Sequence, residues 1–339
     1  MLRLIRRVFR KIAGGCVCLY ENGWGYTWYH GWEKIGRCLF RYGKGGLPYR
    51  EVRRKATCAG NVFPPSQFLR APSSPLEGRT VALFALYAPK GKVPEATFLY
   101  IRGLREVADD IIVRADSPIC AEDVEQMKSV ASCGLFVRHG EYDFGSFQRA
   151  YKVAEEQGYL SACGKLILAN DSCVGPIVPF AGMMSRMSAR PCDFWGQTSY
   201  SFHGRVHVQS YFMVFSGDVV RSGTLGRFLS DLPGKARSRA DVISSCEIAL
   251  TESLVASGFS WDSYVPYRAV LKNPTCSPLT LMTRYACPLV KVKALCGETF
   301  EPLDQVRQAL QEASPAVYEA FGQIVDEWEP VPPNEDLHD

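Results

Sequence analysis

No Cys-x-x-Cys pair occurs among the 13 cysteines, which are odd in number and scattered, with only Cys16-Val-Cys18 close together. Disulfide frameworks and structural zinc sites need tighter spacing, so the thiols are expected to be reduced, as in a cytosolic protein. No apolar run approaches the ~20 residues of a membrane-spanning helix. The N-terminus is basic but has neither the apolar core nor the cleavage site of a signal peptide. Gly-x-Ser-x-Gly is missing too, which argues against a hydrolase triad built on His207 and Ser210. Cys173 or Cys246 with His139 or His207 makes an equally weak thiol enzyme.

Charge is scarce in sum, at +4 over 339 residues, but it is unevenly spread. Residues 1–55 hold 13 Lys/Arg against 3 Asp/Glu, and residues 298–339 hold 1 against 11. A near-neutral middle domain is therefore expected between a basic head and an acidic tail. In the head, Leu2, Ile5, Val8, Phe9 and Ile12 recur at helical spacing, flanked by Arg3, Arg6, Arg7 and Arg10. Trp24, Tyr26, Trp28, Tyr29 and Trp32 follow. This pattern suits peripheral attachment to an anionic membrane surface, or a helix docked on the protein's own core. Nucleic acid is not expected as a partner, because the main domain has no matching basic stripe.

Residues 60–78, with Pro64-Pro65, Pro72 and Ser73-Ser74-Pro75, read as a linker. Beyond it come apolar runs without alternation, at 81–87, 111–113, 135–137 and 166–169, separated by helical patterns at about 95–108, 117–132 and 144–157. Such strands mean a parallel sheet covered on both faces, an α/β fold in the order β-α-β-α-β-α-β. Ligands of open α/β sheets sit beyond the carboxyl ends of the strands. Arg138 and Asp143 follow the third strand there, and Asn170-Asp171-Ser172 follows the fourth.

Asp171 can hold Mg²⁺ or Mn²⁺ against a diphosphate, or cap the local turn. Asp143 is placed as the N-cap of the next helix, and Arg138 can pair with a phosphate or with Glu141 or Asp143. In a helix over about 241–256, Glu247 falls within the stripe of Ile243, Cys246, Leu250 and Leu254. A carboxylate on that face is costly unless paired or functional, and burial is expected to raise its pKa toward a base suited to neutral pH. An ion pair with a nearby arginine is the structural alternative.

Several motifs in order resemble the rhamnan-synthesis protein F family: Arg138-x-x-x-Tyr-Asp-Phe-Gly-Ser-Phe147, Asn170-Asp-Ser172 with Gly175-Pro176, Asp193-Phe-Trp-Gly196, His207-Val-Gln-Ser-Tyr-Phe212 and Glu247-Ile-Ala-Leu-Thr251. Asn273-Pro274 and Pro288-Leu-Val-Lys291 resemble its C-terminal block. The resemblance covers about residues 80–295. It implies a GT-A-like glycosyltransferase that moves rhamnose, or a related deoxysugar or hexose, from a nucleotide-diphosphate donor. The implied acceptor is a growing surface polysaccharide or lipid-linked glycan at the cytoplasmic face of the membrane. By this resemblance Arg138, Tyr142, Asp143, Asn170 and Ser172 bind the donor. Asp193, Trp195, His207, Gln209 and Ser210 hold the sugar or acceptor, Asp171 holds a divalent metal, and Glu247 is the base of an inverting reaction. The chain departs from the family at Leu86-Tyr87-Ala88, where His-Tyr-Asp is usual, and at His139, where Asn is usual. Only one acid stands in Asn170-Asp171-Ser172, where GT-A enzymes carry Asp-x-Asp. These departures keep open a non-catalytic glycan-assembly scaffold of the same fold.

The expected organisation is a basic extension over 1–59, the linker over 60–78, a transferase domain over 79–295, a helical segment over 296–329 and an acidic tail over 330–339. In the helical segment Leu303, Val306 and Leu310 face inward before Ser314-Pro315, and Val317, Phe321, Ile324 and Trp328 after it.

Overall fold

The computed structural model describes residues 52–54, 63–72, 77–232, 242–269, 273–325 and 328–330, all within one unit spanning 52–330. The basic amphipathic and aromatic stretch of the first 51 residues and the acidic tail beyond 330 lie outside the described residues.

Each parallel strand is an apolar run, and its alternate residues feed two different cores. Strand β3 (Thr80–Leu86) sends Ala82, Phe84 and Leu86 to one face and Val81, Leu83 and Ala85 to the other. Next to it lie β4 (Asp110–Ala115), β5 (Cys133–Phe136) and β6 (Lys165–Asn170), all parallel to it. Burial on both faces removes any polar side, which explains why these strands read without alternation.

Two further strands start at Val52–Arg54 (β1) and Ser66–Leu69 (β2). β2 falls inside the Pro-rich segment expected to be a linker, yet it pairs antiparallel with β5 and closes one edge of the sheet. After β6 come β7 (Cys173–Val174), β8 (Phe194–Phe202), β9 (Arg205–Val208), β10 (Phe212–Ser216), β11 (Trp261–Val265), β12 (Val290–Lys291) and β13 (Trp328–Pro330). The main sheet runs β11-β8-β10-β6-β3-β4-β5-β2, with β9 paired to β8. Only β10 and β2 run against the other strands of that path. β7 pairs antiparallel with β12, and β1 with β13.

One face carries α1 (Glu95–Leu104), α2 (Ala121–Val130) and α4 (Phe180–Ser188). The other carries α3 (Tyr142–Glu156), the short helices α5 (Gly217–Arg221) and α6 (Thr224–Ser230), and α7 (Ala249–Ala256). A π-helical turn, Ile243–Ile248, leads directly into α7. Short helices α8 (Pro278–Thr283) and α9 (Val292–Leu295) precede α10 (Leu303–Ala313) and α11 (Pro315–Val325), which flank Ser314 as the apolar spacing predicts. Val306, Leu310, Val317, Phe321 and Ile324 are buried in the same core as Phe84 and Phe98, so these helices extend the α1 side of the sheet. Among the described residues no helix is long and apolar enough to cross a membrane.

Candidate active site

The C-terminal ends of β3, β4, β5 and β6 converge on one edge, where open α/β sheets bind ligands. Asp171 continues directly from β6: its N–H donates to the Ala85 carbonyl at 3.2 Å, and its Oδ2 accepts the Tyr87 N–H at 2.9 Å. Asp171 therefore links two strand ends. Asn170, fully buried, donates its side-chain amide to Asp143 Oδ2 at 2.8 Å. Its Oδ1 accepts the Ser172 N–H at 3.2 Å and the Ser172 hydroxyl. Asp143 lies inside the first turn of α3, with Glu141 at the N-cap position, so its expected capping role is replaced by this link to β6. Sequence spacing put the helix start two residues too late, because Tyr142 enters with a positive φ of 56°.

Beyond β5 the chain turns sharply, and two groups hold the turn. Asp116 Oδ1 accepts the N–H of His139 at 2.5 Å and of Gly140 at 2.7 Å. Arg114, almost fully buried, donates to the carbonyls of Ala115, Leu135 and Val137, at 2.6, 3.0 and 3.0 Å. His139 bonds Ser146 Oγ through Nε2 at 2.9 Å. Burial, with Arg149 and Arg114 nearby, pulls its pKa down to about 4 against the opposing pull of Asp116, so the imidazole is neutral at physiological pH. Held this way, the turn leaves Arg138 and Tyr142 exposed at the rim.

The second half of the site is the hairpin of β8 and β9, which reaches past the edge of the sheet, and the turn after it. Ser210 Oγ donates to Glu247 Oε1 at 2.5 Å, and His207 Nε2 lies 3.6 Å from Glu247 Oε2. The carboxylate sits between hydroxyl and imidazole, whereas a nucleophilic triad needs the imidazole between the other two. Cys246, Leu250 and Leu254 are buried as the helical stripe predicts, but Glu247 keeps 21% of its side chain exposed. Its expected raised pKa is corrected. Burial is the largest influence and does push it up, yet His207 and Ser210, with the charge of Lys291, outweigh it and leave the pKa below the ordinary value. Helical periodicity places Glu247 on the inward face, but it does not reveal that His207 and Ser210 stand opposite it.

Beneath the pair lies a buried polar network. Tyr211 Oη meets Thr198 Oγ1 at 2.8 Å and accepts Gln197 Nε2 at 3.1 Å. Thr198 donates to Gln209 Oε1 at 2.8 Å, and Gln209 reaches Asn273 Oδ1 at 3.4 Å. Gln197 also bonds the Leu289 carbonyl and N–H, at 2.7 and 3.2 Å. The Pro288–Lys291 segment is thereby fixed to the floor of the site. Lys291 Nζ donates to Ser172 Oγ at 2.5 Å and stands 4.6 Å from the centroid of the Tyr211 ring.

The structure does not bring Asp193 or Trp195 to this edge. Asp193 precedes β8, and its carbonyl accepts the N–H of Ser216, which is registered with Lys165 at the start of β6. That is the opposite end of the sheet, where Asp193 Oδ2 accepts the Ser260 N–H and hydroxyl, both at 2.7 Å. Trp195 is buried and packs on Phe212, ring centroids 6.0 Å apart. Asp116, Gln197, Thr198 and Lys291 are the contributors that sequence reasoning passed over.

A divalent ion at Asp171 would be held by oxygen ligands, one or two carboxylates together with substrate phosphates and water. Here Asp143 Oδ2 faces the Asn170 amide, Ser172 Oγ faces an ammonium, and Asp171 Oδ2 faces a backbone N–H. Among the described residues no three His, Cys, Asp or Glu side chains gather to hold a metal. The triplet Asn170-Asp171-Ser172 offers one acid, and the ammonium of Lys291 stands at its third residue, Ser172.

The family model for rhamnan synthesis protein F matches residues 111–320. No curated protein matches the chain. Among solved structures, a cytidylyltransferase from Leptospira borgpetersenii serovar Hardjo-bovis (strain JB197) is similar at 12% identity and a TM-score of 0.31, over 56% of this chain and 75% of that chain. A197 from STIV is similar at 9% identity and a TM-score of 0.22, over 48% of this chain and 74% of that chain. The family match spans more than half of the sequence, from β4 into α11, and takes in both halves of the site: the chain belongs to the rhamnan synthesis protein F family, with a transferase-like role in polysaccharide synthesis.

Proposed function

We propose that this protein transfers a sugar, rhamnose or a related deoxysugar or hexose, from a nucleoside-diphosphate donor to a glycan hydroxyl, with inversion. The acceptor hydroxyl oxygen bonds to the anomeric carbon while the bond from that carbon to the diphosphate oxygen breaks. The electron pair of the broken bond leaves with the nucleoside diphosphate, and the acceptor proton passes to Glu247. Facing groups keep Glu247 ionised, which is the form that accepts a proton. The observation that carries this reading is the hydroxyl already donated to that carboxylate by Ser210, at 2.5 Å. An acceptor hydroxyl replacing it would meet the base in the same geometry.

The donor belongs along Asn170–Ser172 and the Arg138–Asp143 turn, at the strand ends. Arg138, exposed at the rim, supplies a phosphate-pairing guanidinium. His207, Gln209 and Ser210 line the acceptor side. A growing surface polysaccharide or lipid-linked glycan, met at the inner face of the membrane through the basic head, completes the proposal. Measuring release of nucleoside diphosphate from dTDP- and UDP-sugars, with and without a glycan acceptor, tests it.

One observation favours the non-catalytic scaffold. Ser210 and His207 together face both oxygens of Glu247. Glycan binding without donor turnover would decide for that reading.

A further inference from the structure

Lys291 is set into the site by an element too short to be seen in sequence. β12 pairs with β7 so that Lys291 lies opposite Cys173 and Val290 opposite Val174. The Val292 N–H donates to the Ser172 carbonyl at 3.0 Å, locking the ladder at its end. The ammonium is thereby delivered to Ser172, in the strand-end triplet, from a segment 119 residues away.

Its surroundings are unusual for a lysine. The side chain is half-buried, and its contacts are a neutral hydroxyl and the face of Tyr211. Among the described residues no carboxylate forms an ion pair with it, although its charge reaches Glu247 from farther off, whereas Lys293, two residues on, pairs with Glu298. Cations drawn from water are normally paired, since desolvation without a counter-charge is costly. An ammonium has three donors, and one hydroxyl and one ring face do not exhaust them. Its location is also specific, between the donor triplet and the turn that bears Ser210 and Tyr211. This is where the leaving diphosphate of the proposed reaction gathers negative charge.

We propose that Lys291 is the fixed cation that binds the diphosphate of the nucleotide-sugar donor, in the place where a metal ion would otherwise serve. The inference rests on the transferase reading above and deepens it. Lys291 touches the leaving group, with Ser172 as the hydroxyl that aims it. Tyr211 and Gln197 position the strand that carries it. A point charge built into the fold is preorganised, so it needs no reorganisation as charge develops. Diphosphate binding then requires no divalent ion.

The test is direct binding of dTDP, UDP and their parent nucleosides in EDTA, to wild-type protein and to Lys291→Met, Lys291→Gln and Lys291→Arg. Wild type is expected to bind a nucleoside diphosphate in EDTA, with Mn²⁺ changing affinity less than threefold. Lys291→Met and Lys291→Gln are expected to lose at least tenfold in diphosphate affinity and to keep nucleoside affinity within threefold. Lys291→Arg is expected to restore part of the loss. Thermal melting identifies a variant that fails to fold, and the wild-type metal dependence stands without any variant. Unchanged diphosphate binding by folded Lys291→Met or Lys291→Gln overturns the role of Lys291 and leaves the transferase reading intact. So does wild-type binding that needs Mn²⁺ by tenfold or more. No binding of either diphosphate by wild type, with or without Mn²⁺, overturns the transferase reading itself.

Discussion

Glu247 illustrates how a single residue's chemistry is set by three neighbours. Burial alone would raise its pKa, but the hydrogen bonds and positive charge facing it outweigh that and keep it ionised. Because the folded pKa is lowered, its carboxylate stabilises the fold above the unfolded value, and that contribution is lost as pH falls through the folded value. The acid limb of the rate profile due to Glu247 is thus expected below its ordinary value of 4.5. Removing Ser210 or His207, which both lower it, should move that limb upward. A pH–rate series on Ser210→Ala checks this; a limb that stays in place contradicts it. Asp193→Ala separates two readings of another carboxylate. Its contacts are to Ser260 at the far end of the sheet, so stability should drop by about 1 kcal/mol. Donor and acceptor KM should both be unchanged; a KM increase of tenfold would return Asp193 to the site.

At the scale of elements, the parallel strands were legible because burial on both faces leaves unbroken apolar runs, and α10 and α11 because their stripe is regular. What sequence could not reveal was pairing. Ser66–Leu69 is four residues among prolines, and only its register with Cys133–Phe136 makes it a strand. The two-residue ladder of β7 and β12 carries no periodic signal, so Lys291 was visible in a family-like block without a role. Asp193 shared a motif with site residues, but a strand has two ends, and residues at its start and finish serve opposite edges of the sheet. Gly175 offers a test of the ladder. A Cβ there would lie 2.3 Å from the Pro288 carbonyl oxygen, so the close approach of the two segments requires glycine. Gly175→Ala should cost about 1–3 kcal/mol in denaturant unfolding. It should also weaken diphosphate binding by shifting Lys291. Full stability with full binding would show that the ladder is not what places the lysine.

For the whole molecule, the two edges of the sheet have different duties. The N-terminal edge is held by a buried pair of Arg79 and Asp110, supported by Ser132 Oγ donating to Asp110 at 2.8 Å. Asp110→Ala removes a buried carboxylate shared by Arg79 and Ser132 and should destabilise the domain by roughly 3–5 kcal/mol. Calorimetry checks this, and any surviving folded fraction should bind nucleotide normally. The C-terminal edge carries the polar residues of the candidate site, drawn from segments as distant as Asp116 and Lys291. In the proposed reaction these residues perform sugar transfer with Glu247 as base. It is tested most directly by single-turnover consumption of a nucleotide sugar with a glycan acceptor, comparing wild type with Glu247→Gln at matched thermal stability. Wild type is expected to form nucleoside diphosphate and glycosylated acceptor in equal amounts, and Glu247→Gln to be slower by about 10²–10⁴-fold while binding the donor as before. Equal rates for the two folded proteins would contradict this expectation.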